Sequence, residues 1–197
     1  MTIHPPKIRS RGFTLIELMI TVSIAAILMM VAVPSFTAYR RNAELTSVAN
    51  KVVGSINAAR GEALKRGMTA FIVPLDNGTN WDVGWAAFVD KSATRQQTYN
   101  ATAEGVVSIQ QAVPSGISVV DNRTAPDNGY LMFDASGFSR TKAGGFGALA
   151  LTIQRNDVAA ADLPQQTRFV IVSSTGRVRV CKPLSSDDAK CRANSSE

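Results

Sequence analysis

Arg9-Ser10-Arg11-Gly12-Phe13-Thr14-Leu15-Ile16-Glu17-Leu18-Met19 opens a stretch that stays apolar to Val33 and meets a proline at position 34. Residues 13–33 number 21 and carry one charge, Glu17, which reaches the roughly 20 residues a helix needs to cross a bilayer. We read them as a membrane span. Lys7, Arg9 and Arg11 precede it as they would a secretory signal, but the apolar core of a signal peptide is usually about 7–15 residues long. This run is longer, and Pro34-Ser35-Phe36-Thr37 makes a poor small-x-small cleavage site.

Glu17 is the oddity in the span. A carboxylate in hydrocarbon costs about 2.5–3.5 kcal/mol on insertion scales, so such residues normally have a specific partner. Cleavage between Gly12 and Phe13 would create an α-amino group one helical turn from Glu17. The same pair could form between neighbouring subunits.

With its basic leader, Gly12-Phe13-Thr14-Leu15-Ile16-Glu17 resembles the type III signal of type IV pilins and type II secretion pseudopilins. The resemblance implies that a prepilin peptidase cuts between Gly12 and Phe13 and methylates the new amino terminus of Phe13. It also implies that Glu17, fifth in the mature chain, guides docking of pilin subunits in the inner membrane. The expected organisation is a leader at 1–12, a transmembrane helix at 13–33, an amphipathic continuation at 34–67 and a periplasmic β-rich domain at 68–197.

The 197 residues carry 21 Lys and Arg against 15 Asp and Glu, a formal charge of +6. Removing residues 1–12 takes three cations away and leaves 18 against 15, or +3. Global basicity is then weak, and an anionic partner must be argued from local clustering. The single histidine, His4, falls in the leader, so the mature chain has no Ser-His-Asp, Cys-His or His-metal arrangement. No catalytic residue, metal ligand or cofactor is expected.

After Pro34, which should kink or locally melt the helix, Leu45, Val48, Val52, Ile56, Ala59 and Ala63 recur at spacings of three and four. That stripe predicts a helix lying on a sheet, stopped by Gly67. Gly54 and Gly61, each costing roughly 1 kcal/mol in a helix interior, are read as points where the sheet comes close. From residue 68 short β-rich runs alternate with turns: 69–73, 84–90, 106–111, 117–120, 130–134, 148–154, 168–173 and 177–182. Asp76-Asn77-Gly78, Asp127-Asn128-Gly129 and Ser174-Thr175-Gly176 read as hairpin connectors. The fold class is therefore α+β, pilin-like, with a long amino-terminal helix on an antiparallel sheet.

The stretch from Trp81 to Asp90, with Phe133-Asp134-Ala135-Ser136-Gly137 and the run from Val170 to Arg179, is similar to the GspH/FimT branch of minor pseudopilins and minor pilins. In that branch Gly176-Arg177-Val178-Arg179 is the informative hairpin. Residues two apart on a strand share a face, which puts Arg177 and Arg179 about 6.7 Å apart at the backbone, with Val178 turned to the core. Lys182 follows. Paired guanidinium groups suit phosphate, which needs no sequence readout. The resemblance to FimT-type minor pilins implies DNA binding in natural transformation through this hairpin and a neighbouring basic loop, for which Arg140 and Lys142 are the candidates. A solvated edge strand protected by charge and a contact with another minor subunit remain alternative readings. Without DNA binding, the chain would be a GspH-like subunit priming a secretion pseudopilus or a type IV pilus.

Cys181 and Cys191 enclose an 11-residue loop. In an oxidising periplasm a disulfide is the expected state, and on loop entropy it contributes about 2.5–3 kcal/mol. Two thiols without a histidine make a metal site a poor reading, as does the interrupted oxygen series Asp76, Asn80 and Asp82 for calcium. Gly144-Gly145-Phe146-Gly147 lacks the Gly-Lys-Ser/Thr of a phosphate loop and reads as a mobile connection. Trp81 and Trp85 read as core rather than as base-stacking rings.

Overall fold

The computed structural model describes residues 12–92, 95, 97–102, 104–186, 188 and 190–191. One helix, α1 (Leu15–Arg66), runs through position 34 without a break in its helical assignment. The expected melting at Pro34 is therefore corrected. A proline withholds one amide hydrogen from the ladder, and the turns on either side keep theirs. Apart from Pro34, every described side chain at 12–40 is exposed. An 18-residue window in this helix has a mean hydropathy of 2.5, so by length and composition it is able to cross a membrane.

Residues 41–197 form a separate compact unit. There Leu45, Val48, Val52, Ile56, Ala59 and Ala63 are at most 3% exposed, as the stripe predicts. Gly67 ends the helix at φ +64°, and the Met68 amide reaches back to the Ala63 carbonyl at 3.2 Å. This is the 6→1 bond of a Schellman cap. Gly54 and Gly61 do not mark a close approach, because a Cβ at either would meet nothing within 4 Å. Both lie on the exposed face of the helix, and nothing in the fold accounts for a glycine at either position.

The strands fall into two antiparallel sheets. The first contains β1 (Ala70–Pro74), β2 (Gly84–Val89), β3 (Gly105–Gln111), β5 (Leu131–Phe133) and β6 (Ser139–Arg140), ordered β3-β2-β1-β5-β6. The second contains β4 (Ile117–Asp121), β7 (Leu149–Arg155), β8 (Thr167–Val172) and β9 (Val178–Cys181), ordered β4-β7-β8-β9. Asp127-Asn128-Gly129 consequently lies in a crossover from β4 to β5, not in a hairpin. The other two connectors do join paired strands.

The inner faces of both sheets share one core with the helix: Ile72, Ala87 and Leu131 from the first, Leu151, Val170 and Val172 from the second. Trp81 and Trp85 are buried in it and donate their indole N–H groups to Asp121 at 3.1 Å and Ser55 at 2.9 Å, as buried indoles require. On the outer face of the first sheet Phe71, Val73, Phe88, Tyr130 and Met132 form a second, smaller cluster. Arg155, 6% exposed, bridges Glu44 of the helix and Asp157, with both contacts at 2.7 Å. Cys181 and Cys191 are joined in a disulfide, which holds the chain after β9 against its last strand.

Candidate functional site

The β8–β9 hairpin is built around a contact that only glycine permits. Gly176 adopts φ +78°, and a Cβ there would lie 2.2 Å from the Gly137 carbonyl oxygen and 2.7 Å from Arg60 Nε. Arg60, on α1, donates from Nε to the Gly137 carbonyl at 2.9 Å and from Nη2 to the Thr175 carbonyl at 3.1 Å. Two turns of similar sequence, Asp134-Ala135-Ser136-Gly137 and Ser173-Ser174-Thr175-Gly176, are thus hung side by side from one guanidinium. The Ser139 amide adds a bond to the Ser174 carbonyl at 3.0 Å.

Beyond Gly176 the register places Val178 opposite Val172 and Arg179 opposite Ile171. Val178 packs against the core. Arg177 is exposed, Arg179 half-buried, and both line a shallow hollow with Ile171 and Ser173. β9 is an edge strand, and Lys182, exposed, follows it. Lys190 is exposed across the disulfide loop. Asp188 shapes that loop by accepting from the Leu184 and Lys190 amides, and these bonds hold its carboxyl below the usual range. Arg192 lies outside the described residues.

The expected partner loop is arranged differently. Arg140, on β6, donates from Nε to Asp134 at 2.6 Å, and its side chain is 26% exposed. Its guanidinium also lies 4.0 Å from the centre of the Phe146 ring and 5.7 Å from that of Phe138. Burial pushes the Asp134 carboxyl up, but bonds from Arg140, Phe138 and Ser136 outweigh it and hold it below the usual range. Arg140 is therefore already engaged, unlike the open cation that its place in the sequence led us to expect. Lys142 is exposed. Its backbone amide donates to the Tyr130 hydroxyl at 2.6 Å, and burial together with the bond to Asp127 pushes that hydroxyl up to about 12.

At the amino-terminal end, the Glu17 carboxylate accepts from the Thr14 amide at 3.2 Å and the Thr14 hydroxyl at 3.1 Å. The Glu17 amide in turn donates to the Thr14 hydroxyl at 3.3 Å. This is a reciprocal capping box, legible in Thr14-x-x-Glu17 but not read from it. Arg60 gave no comparable signal, since its two partners lie 77 and 115 residues away in sequence. Asp76, Asn80 and Asp82 accept from the Gly78, Asp82 and Val119 amides, respectively. Among the described residues no group of three His, Cys, Asp or Glu could hold a metal ion.

The model of the type II transport protein GspH family matches residues 48–187, and that of the prokaryotic N-terminal methylation motif matches residues 7–33. The chain is 34% identical over 113 residues to prepilin peptidase-dependent protein D of Escherichia coli strain K12, covering 57% of this chain and 71% of that protein. It is 29% identical over 101 residues to a fimbrial protein of Pseudomonas aeruginosa, covering 50% of this chain and 65% of the other. In fold it is similar to the type IV minor pilin FimU of Pseudomonas aeruginosa, with a TM-score of 0.52 and 16% identity over 73% of this chain and 92% of that one.

Proposed function

Because this chain belongs to the GspH family of type II transport proteins, we propose that it is a minor filament subunit whose basic β8–β9 hairpin grips DNA by its phosphates. It is a pilin-class, non-enzymatic component of a type IV pilus or a type II secretion system, and it carries the prepilin methylation motif. On our reading, prepilin peptidase cleaves between Gly12 and Phe13 and methylates Phe13. α1 anchors the protein in the inner membrane with the unit at 41–197 in the periplasm. Glu17 exchanges its Thr14 contacts for the amino terminus of a neighbouring subunit as the chain enters the filament.

The observation that carries the DNA reading is Arg179 on an edge strand with exposed Arg177 immediately before it and exposed Lys182 close behind. Two such groups neutralise neighbouring phosphates without reading bases. Lys142, exposed on the loop after β6, is a further cation in this reading. Arg140 contributes by holding its loop rather than by taking a phosphate.

The test is a titration of duplex DNA with the full chain in neutral detergent, at several salt concentrations, alongside the Arg177→Ala/Arg179→Ala variant. We expect affinity to fall as salt rises. Losing two phosphate contacts should reduce the log–log slope by about 1.8, at roughly 0.9 per contact. An unchanged slope in the variant, or no binding by the folded protein at low salt, would leave the subunit as an assembly primer without a DNA role.

A further inference from the structure

We infer that Phe146 is a base-stacking platform beside the arginine hairpin and that the hairpin's preferred ligand is single-stranded DNA; the inference rests on the DNA reading above. In the unit at 41–197, Phe146 is the exposed aromatic ring among the described residues, at 62% exposure. The other large rings are spent on the core: Trp81, Trp85, Tyr130, Phe71, Phe88 and Phe133 are fully buried. An isolated phenyl ring in water is unremarkable by itself. Its mounting and its neighbours are what give this one a role.

The mounting is rigid. Phe146 bridges Arg140 across the edge of the first sheet, with the Arg140 guanidinium 4.0 Å from its ring centre and Phe138 edge-on at 5.6 Å. Asp134 also holds that guanidinium, at 2.6 Å. The flanking glycines allow the loop to close tightly. A Cβ on Gly147 would come within 2.9 Å of Thr141, and the Gly147 amide bonds the Ser139 carbonyl at 3.0 Å. The ring is held by a cation over one face, and its 62% exposure leaves surface for a second partner.

The neighbours are the two arginines. Arg140 lies opposite Met132, a member of the outer-face cluster, so its bridge partner Phe146 shares that outer face. Along β7 the side chains alternate. Leu149 and Leu151 enter the core, which puts Ala150 on the outer side. Ala150 pairs with Ile171, and Ile171 with Arg179. The Ser173 amide bonds the Arg177 carbonyl at 2.9 Å, continuing the same register. Arg179 is thus on the outer side of the second sheet and Phe146 on that of the first, and their two loops meet where Ser139 bonds both the Gly147 amide and the Ser174 carbonyl at 3.0 Å. Cationic side chains along a backbone track, with an aromatic ring to one side, are the recurring arrangement for unpaired strands. A duplex keeps its bases stacked on one another and cannot offer one to Phe146 without opening.

The experiment measures binding of the full chain in neutral detergent to three labelled probes of equal length: a thymidine 20-mer, a 20-base-pair duplex, and an abasic 20-mer that keeps the phosphates. We expect the thymidine strand to bind more tightly than the abasic one. Phe146→Ala should weaken thymidine binding about tenfold while leaving the duplex and the abasic strand unchanged, and Phe146→Trp should retain it. Unaltered duplex binding also reports that the variant is folded. Equal affinity of wild type for thymidine and abasic strands, or a Phe146→Ala variant that keeps thymidine affinity, would overturn the platform while leaving phosphate gripping intact. Equal weakening on all three probes would overturn it as well, as a structural effect. Failure of the wild type to bind any probe would overturn both readings.

Discussion

Residues 15–40 and 41–66 belong to one helix and have opposite surroundings. In the second stretch an apolar stripe is covered by two sheets, and Ile56, Ala59 and Ala63 are at most 1% exposed. In the first, the apolar side chains are bare: Leu28 is 64% exposed and Val31 74%. The second stretch is solved by its own chain, whereas the first requires something outside it. A continuous apolar patch of this size on a soluble surface would be a liability. On the function proposed above, its cover comes from lipid and then from the same segment of neighbouring subunits.

The contrast can be broken most severely at Ile56. Ile56→Asp places a carboxylate under the sheets and should cost about 4 kcal/mol or more, read as loss of the cooperative unfolding transition of the unit at 41–197. Next comes Gly176→Ala, which asks a non-glycine residue to adopt φ +78° against the Gly137 carbonyl. Strain and displacement of Arg60 together should cost roughly 2–4 kcal/mol in a denaturant titration. Combined with Arg60→Ala, part of that penalty should disappear, because the shorter side chain removes one of the two clashing groups.

A smaller effect sharpens the comparison at the start of the covered stretch, where Glu44 meets Arg155. The hydrogen bonds from Arg155 hold Asp157 down to about 2 from a usual 3.8. A depressed carboxyl contributes stability that is complete above its unfolded value and is lost as pH falls. Thermal midpoints should therefore decline between about pH 4 and pH 2, and Asp157→Asn should flatten that part of the profile. The pair is partly exposed, so the change should be modest. The smallest expected effect is on the bare side. Ile24→Ala should leave the unfolding of the unit at 41–197 unchanged and should alter only recovery in filaments.

How far the sequence could be read follows the same division. Local periodicity disclosed the stripe from Leu45 to Ala63, the stop at Gly67 and most strands to within a residue or two, because each depends on neighbours in the chain. The partition into two sheets was hidden, since it depends on where the connections after β3, β4 and β6 cross. So was β6, which is two residues long. At the site, Gly176-Arg177-Val178-Arg179 announced itself through alternation. Arg140 misled, because nothing local tells a lysine or arginine in solvent from one locked to Asp134 and Phe146. Trp81 and Trp85 were legible as core, whereas Phe146 was hidden in a glycine-rich run that looked like mere linker.

Arg60 gives the hairpin a mechanical character as well as a shape. Packing contacts have no preferred direction, whereas the two hydrogen bonds from one guanidinium to the Gly137 and Thr175 carbonyls are directional. Tension entering this unit along α1 is thereby passed to the turn that precedes Arg177, so that a subunit pulled by its helix draws the arginine strand with it rather than peeling away from it.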